Sequence, residues 1–266
     1  MKKLLIVLAV IVVLLLSGAY FLLRAPSVTA ALLYIESGEV QVDVGKGWIT
    51  GTDEMELSRG AKVKTIAGEA TVVLLEGEFI HLEPNSEISI DEVTKNQIKL
   101  SQKVGQTWNK ITKLSGIKGY IVSTPNTVAT VRGTEFILSD EEILVDDGEV
   151  EYEHIAKKEK IKVRAKKKAL AAAMKEEDTS ESAKFEQQKG KYLKVLKKVR
   201  QREVRKHKFL TERAGYKEQQ INQKLEEIDA APENSEDEAY AKVPRLMKKK
   251  AERTYHLTKE IKRVKR

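Results

Sequence analysis

The chain has 266 residues, of which 33 % are charged and 41 % apolar, with no cysteine and a formal net charge of +8 at pH 7. That length admits one or two domains with a sizeable core. The absence of cysteine excludes disulfides and thiolate metal sites, and an oxidising compartment is permitted but not required.

The charge is segregated along the chain. Residues 1–24 carry +3, residues 25–155 carry −11 and residues 156–266 carry +16. Such asymmetry sets a boundary near residue 156 and predicts different partners on its two sides. Glycine follows the same division, with 12 of 15 between Gly38 and Gly148, so turns are concentrated in the middle.

At the N-terminus, Leu4–Leu23 is an apolar run interrupted only by Ser17 and Gly18. Twenty helical residues span roughly 30 Å, the thickness of a bilayer's hydrocarbon core. Lys2 and Lys3 precede the run, and the positive-inside rule keeps them cytoplasmic while exporting the chain beyond Arg24. The expectation for residues 1–24 is a single-pass signal anchor. A cleaved signal peptide is the competing reading, with Ser17-Gly18-Ala19 as a small-residue cleavage site. The continuation through Tyr20, Phe21, Leu22 and Leu23 favours a retained anchor, and no cysteine comes after it to carry a lipid. Either way the bulk of the chain is expected outside the cytoplasm.

Residues 33–163 read as an all-β domain of many short strands. In Gly68–Ile90 the residues Ala70, Val72, Leu74, Ile80, Leu82, Ile88 and Ile90 are all even-numbered, with Thr71, Glu83, Ser89 and His81 between them. Period-two alternation marks strands with one buried face, separated by turns at Glu76-Gly77 and Pro84-Asn85. Val73, Leu75 and Phe79 break the alternation, so part of the second face is expected to be covered as well. No helical pattern intervenes, which argues against βαβ units.

GEVQV at 38–42, Trp48, LSRGAKVKT at 57–65, ATVVLLEGEFIHLEPNSEISI at 70–90, TPNTVATVRGTEF at 124–136 and DDGEV at 146–150 resemble, in order and spacing, the FecR domain family. The resemblance implies an extracytoplasmic β-domain of sandwich or solenoid-like build. Its motif positions are Thr124, Pro125, Arg132, Gly133, Thr134 and Phe136. In the best-known members the domain belongs to a single-pass sensor that relays a transport signal to a cytoplasmic sigma-factor regulator. With only Met1–Lys3 expected in the cytoplasm, that relay does not carry over.

Arg132 stands among apolar neighbours, and two readings of it remain open. Gly133 inside a strand pattern suggests a bulge. Arg132 would then lay its stem along the sheet and pair its guanidinium with Glu135 or an acid of Asp140–Glu142, because buried charges are paired. The alternative presents Arg132 to an anionic ligand.

Residues 164–266 read as a basic helical tail. Phe185, Tyr192, Leu196 and Val199 form one narrow apolar stripe, and Ile221, Leu225 and Ile228 another. Ser235–Glu238 resembles a capping box opening a last helix, which Pro244 should interrupt. Narrow stripes favour helix pairing, docking on the β-domain or a short coiled coil, with a solvated tail as the bland alternative. Its positive charge suits an anionic envelope polymer, lipid headgroups or the chain's own acidic domain. Nucleic acid is not expected, since export separates the tail from it and no reading motif is present.

The sequence carries no motif with the spacing of a catalytic or metal site. None of His81, His154, His207 and His256 has metal-ligand spacing to another histidine, and His81 is expected to be an exposed strand residue. Asp146-Asp147-Gly148 reads as a hairpin turn rather than a calcium loop. Gly45-Lys46-Gly47 lacks the spacing of a phosphate loop. No catalytic residue, cofactor or metal ligand is assigned. The expectation is a membrane-anchored extracytoplasmic binding or scaffold protein, with a sensor subunit working through a separate membrane partner as the alternative.

Overall fold

The structure is a computed structural model describing residues 29–74, 77–94, 96–111, 119–206, 218–231, 237, 240–241 and 245–265. The expected membrane span Leu4–Leu23 lies outside these residues, as do Ser235, Glu236 and Pro244. Among the described residues no helix is long and apolar enough to cross a membrane.

The first strands are β1 (Thr29–Ser37), β2 (Val40–Asp43), β3 (Trp48–Thr50), β4 (Met55–Ser58), β5 (Lys62–Thr65) and β6 (Glu69–Leu74). Next come β7 (Phe79–Leu82), β8 (Glu87–Val93), β9 (Gln97–Val104), β10 (Thr107–Lys110), β11 (Gly119–Ser123) and β12 (Thr127–Val131). The last are β13 (Glu135–Leu138), β14 (Glu142–Asp147), β15 (Glu149–His154), β16 (Glu159–Arg164), β17 (Lys167–Leu170) and β18 (Glu176–Asp178). Among the described residues three long helices come after them: α1 (Ser182–Lys206), α2 (Glu218–Ala230) and α3 (Arg245–Val264).

The strands form two nine-stranded sheets. Sheet I has the order β18-β17-β14-β13-β10-β7-β6-β1-β4, and sheet II the order β16-β15-β12-β11-β9-β8-β5-β2-β3. Neighbours are antiparallel except β9 and β11, which run parallel. One apolar cluster joins the sheets into a sandwich, with Leu33, Val72, Ile80, Leu82 and Phe136 of sheet I facing Val63, Ile90, Leu100, Tyr120 and Tyr152 of sheet II. The even-numbered residues of Gly68–Ile90 point into this core as their alternation predicts.

A buried polar chain crosses the same interface. Tyr120 donates its hydroxyl to Asn109 Oδ1 at 2.7 Å, and Asn109 Nδ2 donates to Thr107 Oγ1 at 2.9 Å. Thr107 donates in turn to Gln102 Oε1 at 2.7 Å, and Gln102 Nε2 bonds the Leu138 carbonyl at 3.0 Å. Buried polar groups linked in this way fix how the two sheets face each other, since sliding one sheet would strand several donors.

The turns are less often hairpins than the sequence suggests. Pro84-Asn85 carries the chain from β7 in sheet I to β8 in sheet II, and Asp147-Gly148 carries it from β14 in sheet I to β15 in sheet II. The Asp-Gly pair is therefore a passage between sheets and not a hairpin. Glycine is concentrated in the middle of the chain because it sits at such passages, among them Gly38, Gly60, Gly68, Gly105, Gly133 and Gly148, where the backbone turns sharply or strands approach closely.

The strands continue past the expected limit of 163 through β17 and β18. Their composition hides them. Lys160 bonds Glu151 across β15 and β16 at 2.9 Å, Lys162 bonds Glu149 at 2.8 Å, and Lys167 bonds Asp178 across β17 and β18 at 2.5 Å. Charged cross-strand pairs suit exposed edge strands, which resist pairing with a second chain.

The outer face of sheet I is apolar and is covered by the helices. Leu32, Tyr34, Val73, Phe79, Trp108, Ile137 and Leu144 pack against Phe185, Tyr192, Val195, Leu196 and Val199 of α1 and Ile261 of α3. Tyr192 meets Phe79 edge-on with ring centroids 4.7 Å apart and Trp108 at 5.5 Å. Of the fates open to the narrow stripe, docking on the β-domain and helix pairing are both realised, since α3 packs on α1 in the same cluster. The three helices are joined by Arg200, whose guanidinium makes a buried two-point pair with Asp229 of α2 at 2.6 and 2.9 Å and donates to Thr258 of α3 at 3.2 Å.

Two substitutions test this packing. A Cβ at Gly68 would lie 2.1 Å from the Ser37 carbonyl oxygen, so Gly68→Ala requires backbone movement. It should cost about 2–3 kcal/mol, which for a chain of this size lowers Tm by roughly 5–10 °C in a thermal melt. Tyr192→Ala should cost about 3–5 kcal/mol and shift the emission of Trp108, which loses the ring covering it.

Candidate functional site

The family-motif positions Thr124 to Phe136 run from the turn before β12 to the passage after it. Thr124 is buried and its hydroxyl accepts the backbone N–H of Thr127 at 3.0 Å, which tightens the Pro125-Asn126 turn between β11 and β12. Asp140 holds the same turn from outside, accepting from Asn126 Nδ2 at 2.7 Å. Val131 ends β12 in sheet II, Gly133 turns with φ of 71°, and Glu135 begins β13 in sheet I. Gly133 is thus a passage between sheets; the bulge lies two residues on, where Glu135 pairs with Asp147 but Phe136 with Val145.

The returning passage at Gly148 lies against the first one. A Cβ on Gly148 would come within 2.9 Å of the Gly133 carbonyl oxygen, and Thr134 Oγ1 donates to the Glu149 carbonyl at 3.2 Å. Only a residue without a side chain permits that approach, and the φ of 89° at Gly148 adds a second reason for glycine. Phe136 then enters the core and meets Tyr120 with centroids 6.3 Å apart.

Arg132 does not play the role of a buried clamp. It is exposed, and no ion pair ties it to Glu135 or to Asp140–Glu142 among the described residues. Glu135 is buried on the opposite side of the strand, where it takes the ammonium of Lys110 at 2.7 Å and the indole N–H of Trp108 at 3.2 Å. Alternation explains this: the passage at Gly133 turns Arg132 to solvent while β13 aims Glu135 at α1. Of the motif residues, Gly133, Thr134 and Phe136 come together and build the corner where the two passages meet, while Thr124 and Pro125 lie in the turn at the far end of β12.

A second assembly lies on the face of sheet I beneath α1. Glu69, Thr71, His81 and Glu83 share one parity on neighbouring strands, with Thr71 directly opposite His81. That parity faces α1, so His81 is 1 % exposed rather than a solvent-facing strand residue. Its Nδ1–H donates to Glu36 Oε1 at 2.9 Å, and Thr71 donates its hydroxyl to the same oxygen at 2.6 Å. Glu36 reaches this face through a register shift in β1 between Ile35 and Ser37. Burial pushes the Glu36 carboxyl up, but hydrogen bonds from His81 and Thr71 and the charge of Lys191 outweigh it, and it titrates below its ordinary value.

Nε2 of His81 looks the other way, to the Lys191 ammonium of α1 at 3.2 Å. Lys191 also pairs with Glu69 at 3.0 Å and Glu83 at 3.3 Å. Gln188, one turn earlier on the helix, donates Nε2 to Glu83 at 2.5 Å. The parity of these residues was visible in the sequence. That a helix more than a hundred residues away would cover them was not.

Lys191 is one of a row. Lys198 pairs with Asp53 at 3.0 Å, Arg202 with Glu56 at 3.0 Å, Arg205 with Glu54, and Lys184 lies 3.9 Å from Glu142. The positive segment therefore meets the chain's own acidic domain. The outer face of sheet II is different: Gln41, Lys62, Lys64, Asp91, Lys99, Glu151 and Glu153 are half-buried or exposed on it. At its edge Trp48 and Ile49 of β3 are exposed, with the Lys64 ammonium 4.4 Å from the Trp48 ring centre. The neighbouring Gly45-Lys46-Gly47 loop directs its three backbone N–H groups at Asp43 Oδ1, at 2.8, 3.1 and 3.0 Å, so the chain's own carboxylate fills the nest a phosphate would use.

Residues 61–153 match the family described as FecR protein. This segment is a FecR domain. The FecR match covers β5 to β15 apart from their flanks, so the strands β1–β4 and β16–β18 complete the two sheets around it. No curated protein matches the chain. Two crystal structures of a candidate anti-sigma factor from Parabacteroides distasonis ATCC 8503, at 1.65 Å and 2.50 Å resolution, are similar to it at 18 % identity and a TM-score of 0.37. The similarity covers 41 % of this chain and 53 % of those, about half their length.

Substitutions in the corner separate its parts. Arg132→Ala should leave the thermal midpoint unchanged, within about 0.5 kcal/mol, as for an exposed residue. Thr134→Val, which removes the bond to Glu149, should lower stability by about 1 kcal/mol in the same melt.

Proposed function

We propose that this FecR-domain protein is held in the membrane by Leu4–Leu23, displays its β-sandwich outside the cytoplasm, and acts there as a binding or scaffold module. The observation that carries this reading is the sealing of one face only. The helices cover sheet I through apolar packing and a row of ion pairs, so the basic tail is built into the module. Sheet II keeps a polar outer face, bordered by the exposed Trp48 and Ile49. That face is where an envelope protein or anionic polymer would bind, with the lysines of β5 and β9 supplying charge and Trp48 an aromatic anchor. Nothing in the reading requires catalysis, a cofactor or nucleic acid.

The FecR match favours a second reading, a sensor subunit that works through a separate membrane partner contacting the anchor. A crosslinked partner that is lost when Leu4–Leu23 is exchanged for another apolar span would support it.

Topology is the decisive test of the first reading. A phosphatase reporter that matures only outside the cytoplasm, fused after Arg266, should be active, and a fluorescent reporter that matures only in the cytosol should stay dark. The reverse pattern overturns both readings.

A further inference from the structure

The cluster beneath α1 has the make-up of a metal centre. His81 Nε2 lies 3.8 Å from Glu69 Oε2 and 3.6 Å from Glu83 Oε1, and ligand atoms of the three residues all lie within 4.8 Å of one another. In a tetrahedral site with ligands about 2.0–2.1 Å from the metal, ligand atoms stand roughly 3.3–3.4 Å apart. Each carboxylate oxygen needs to move only a few tenths of an ångström toward Nε2 to meet that spacing from His81, and the two carboxylates stand within 4.8 Å of each other.

The surroundings support the same assignment. Glu36 and Thr71 hold His81 through Nδ1, which fixes the ring and leaves the Nε2 lone pair facing the two carboxylates. A carboxylate behind the imidazole is the usual outer support of a ligating histidine. Gln188 supplies an independent sign. Its side chain is buried and bonded to Glu83 through Nε2, yet its Oε1 has no hydrogen-bond partner among the described residues. A cation beside Glu83 would offer that oxygen an electrostatic partner.

The place between the three ligands is held by the Lys191 ammonium, 3.2, 3.0 and 3.3 Å from His81, Glu69 and Glu83. We propose that Glu69, His81 and Glu83 form a binding site for a divalent transition-metal cation, which displaces Lys191 as the resident positive charge. A mixed imidazole and carboxylate set suits zinc and its neighbours better than magnesium or calcium, which take oxygen alone. Displacement is sterically feasible because the lysine enters from one side on a flexible four-carbon stem. It also breaks the two Lys191 pairs that help tie α1 to sheet I, so metal binding and helix docking are coupled.

The test is calorimetric titration of Zn2+ into the full chain, chelator-treated, as wild type, Lys191→Met and Lys191→Met/His81→Gln. Lys191→Met keeps the stem and removes the competing charge, and should bind one zinc at least tenfold more tightly than wild type. Adding His81→Gln should abolish that gain. With Co2+ in place of zinc, visible absorption should appear in the single variant and vanish in the double. Equal affinity of wild type and Lys191→Met, or zinc retained by the double variant, overturns the proposal. Should Lys191→Met fail to fold by circular dichroism, the wild type decides: zinc must raise its Tm while leaving that of His81→Gln unchanged, and no rise overturns it.

Discussion

The arrangement depends on one constraint: sheet I carries large apolar side chains on both faces. Its inner face makes the sandwich core with sheet II, and its outer face carries Tyr34, Val73, Phe79 and Trp108, which have to be removed from water. Each such side chain contributes on the order of 1.5–3 kcal/mol when buried. The outer layer comes mainly from α1, whose stripe is too narrow to support a fold of its own but wide enough to cover this surface. With Tyr192 set between Phe79 and Trp108, the positions of Lys191, Lys198 and Arg202 over their acidic partners are fixed by helical periodicity.

The segregation of charge takes on a different meaning in the folded chain. An acidic domain and then a basic tail suggest two binding surfaces for two partners. Once folded, a substantial part of each charge faces the other across the α1 interface. Most of these pairs are half-exposed, so they contribute little to stability individually, but they orient a helix whose apolar contacts alone would tolerate a shift along the sheet. Arg200 and Asp229 are the exception. That pair is buried, and removing either partner would leave the other charge without compensation inside the helical layer.

The corner built by the family motif shows why a short sequence pattern can be informative about structure and silent about action. The backbone passes between sheets at Gly133 and again at Gly148, and the two passages touch. Glycine is required by that contact, Thr134 ties one passage to the other, and Phe136 anchors the corner in the core. Arg132, for which the sequence admits a paired clamp or a ligand-facing cation, is exposed and takes no part in the corner.

From the order of residues alone, strand alternation over Gly68–Ile90 identified the β-class, the buried parity and the partial covering of the second face. It also located the helical stripe of Phe185, Tyr192, Leu196 and Val199. These are local properties, set by a two- or 3.6-residue period, and they are legible because periodicity comes from backbone geometry. Which turns are hairpins and which are passages between sheets, where Arg132 and Glu135 point, and the gathering of Glu36, Glu69, His81, Glu83 and Lys191 were decided only by the tertiary structure. Each depends on pairing between segments up to more than a hundred residues apart, and no local period encodes which distant face a strand or helix will meet.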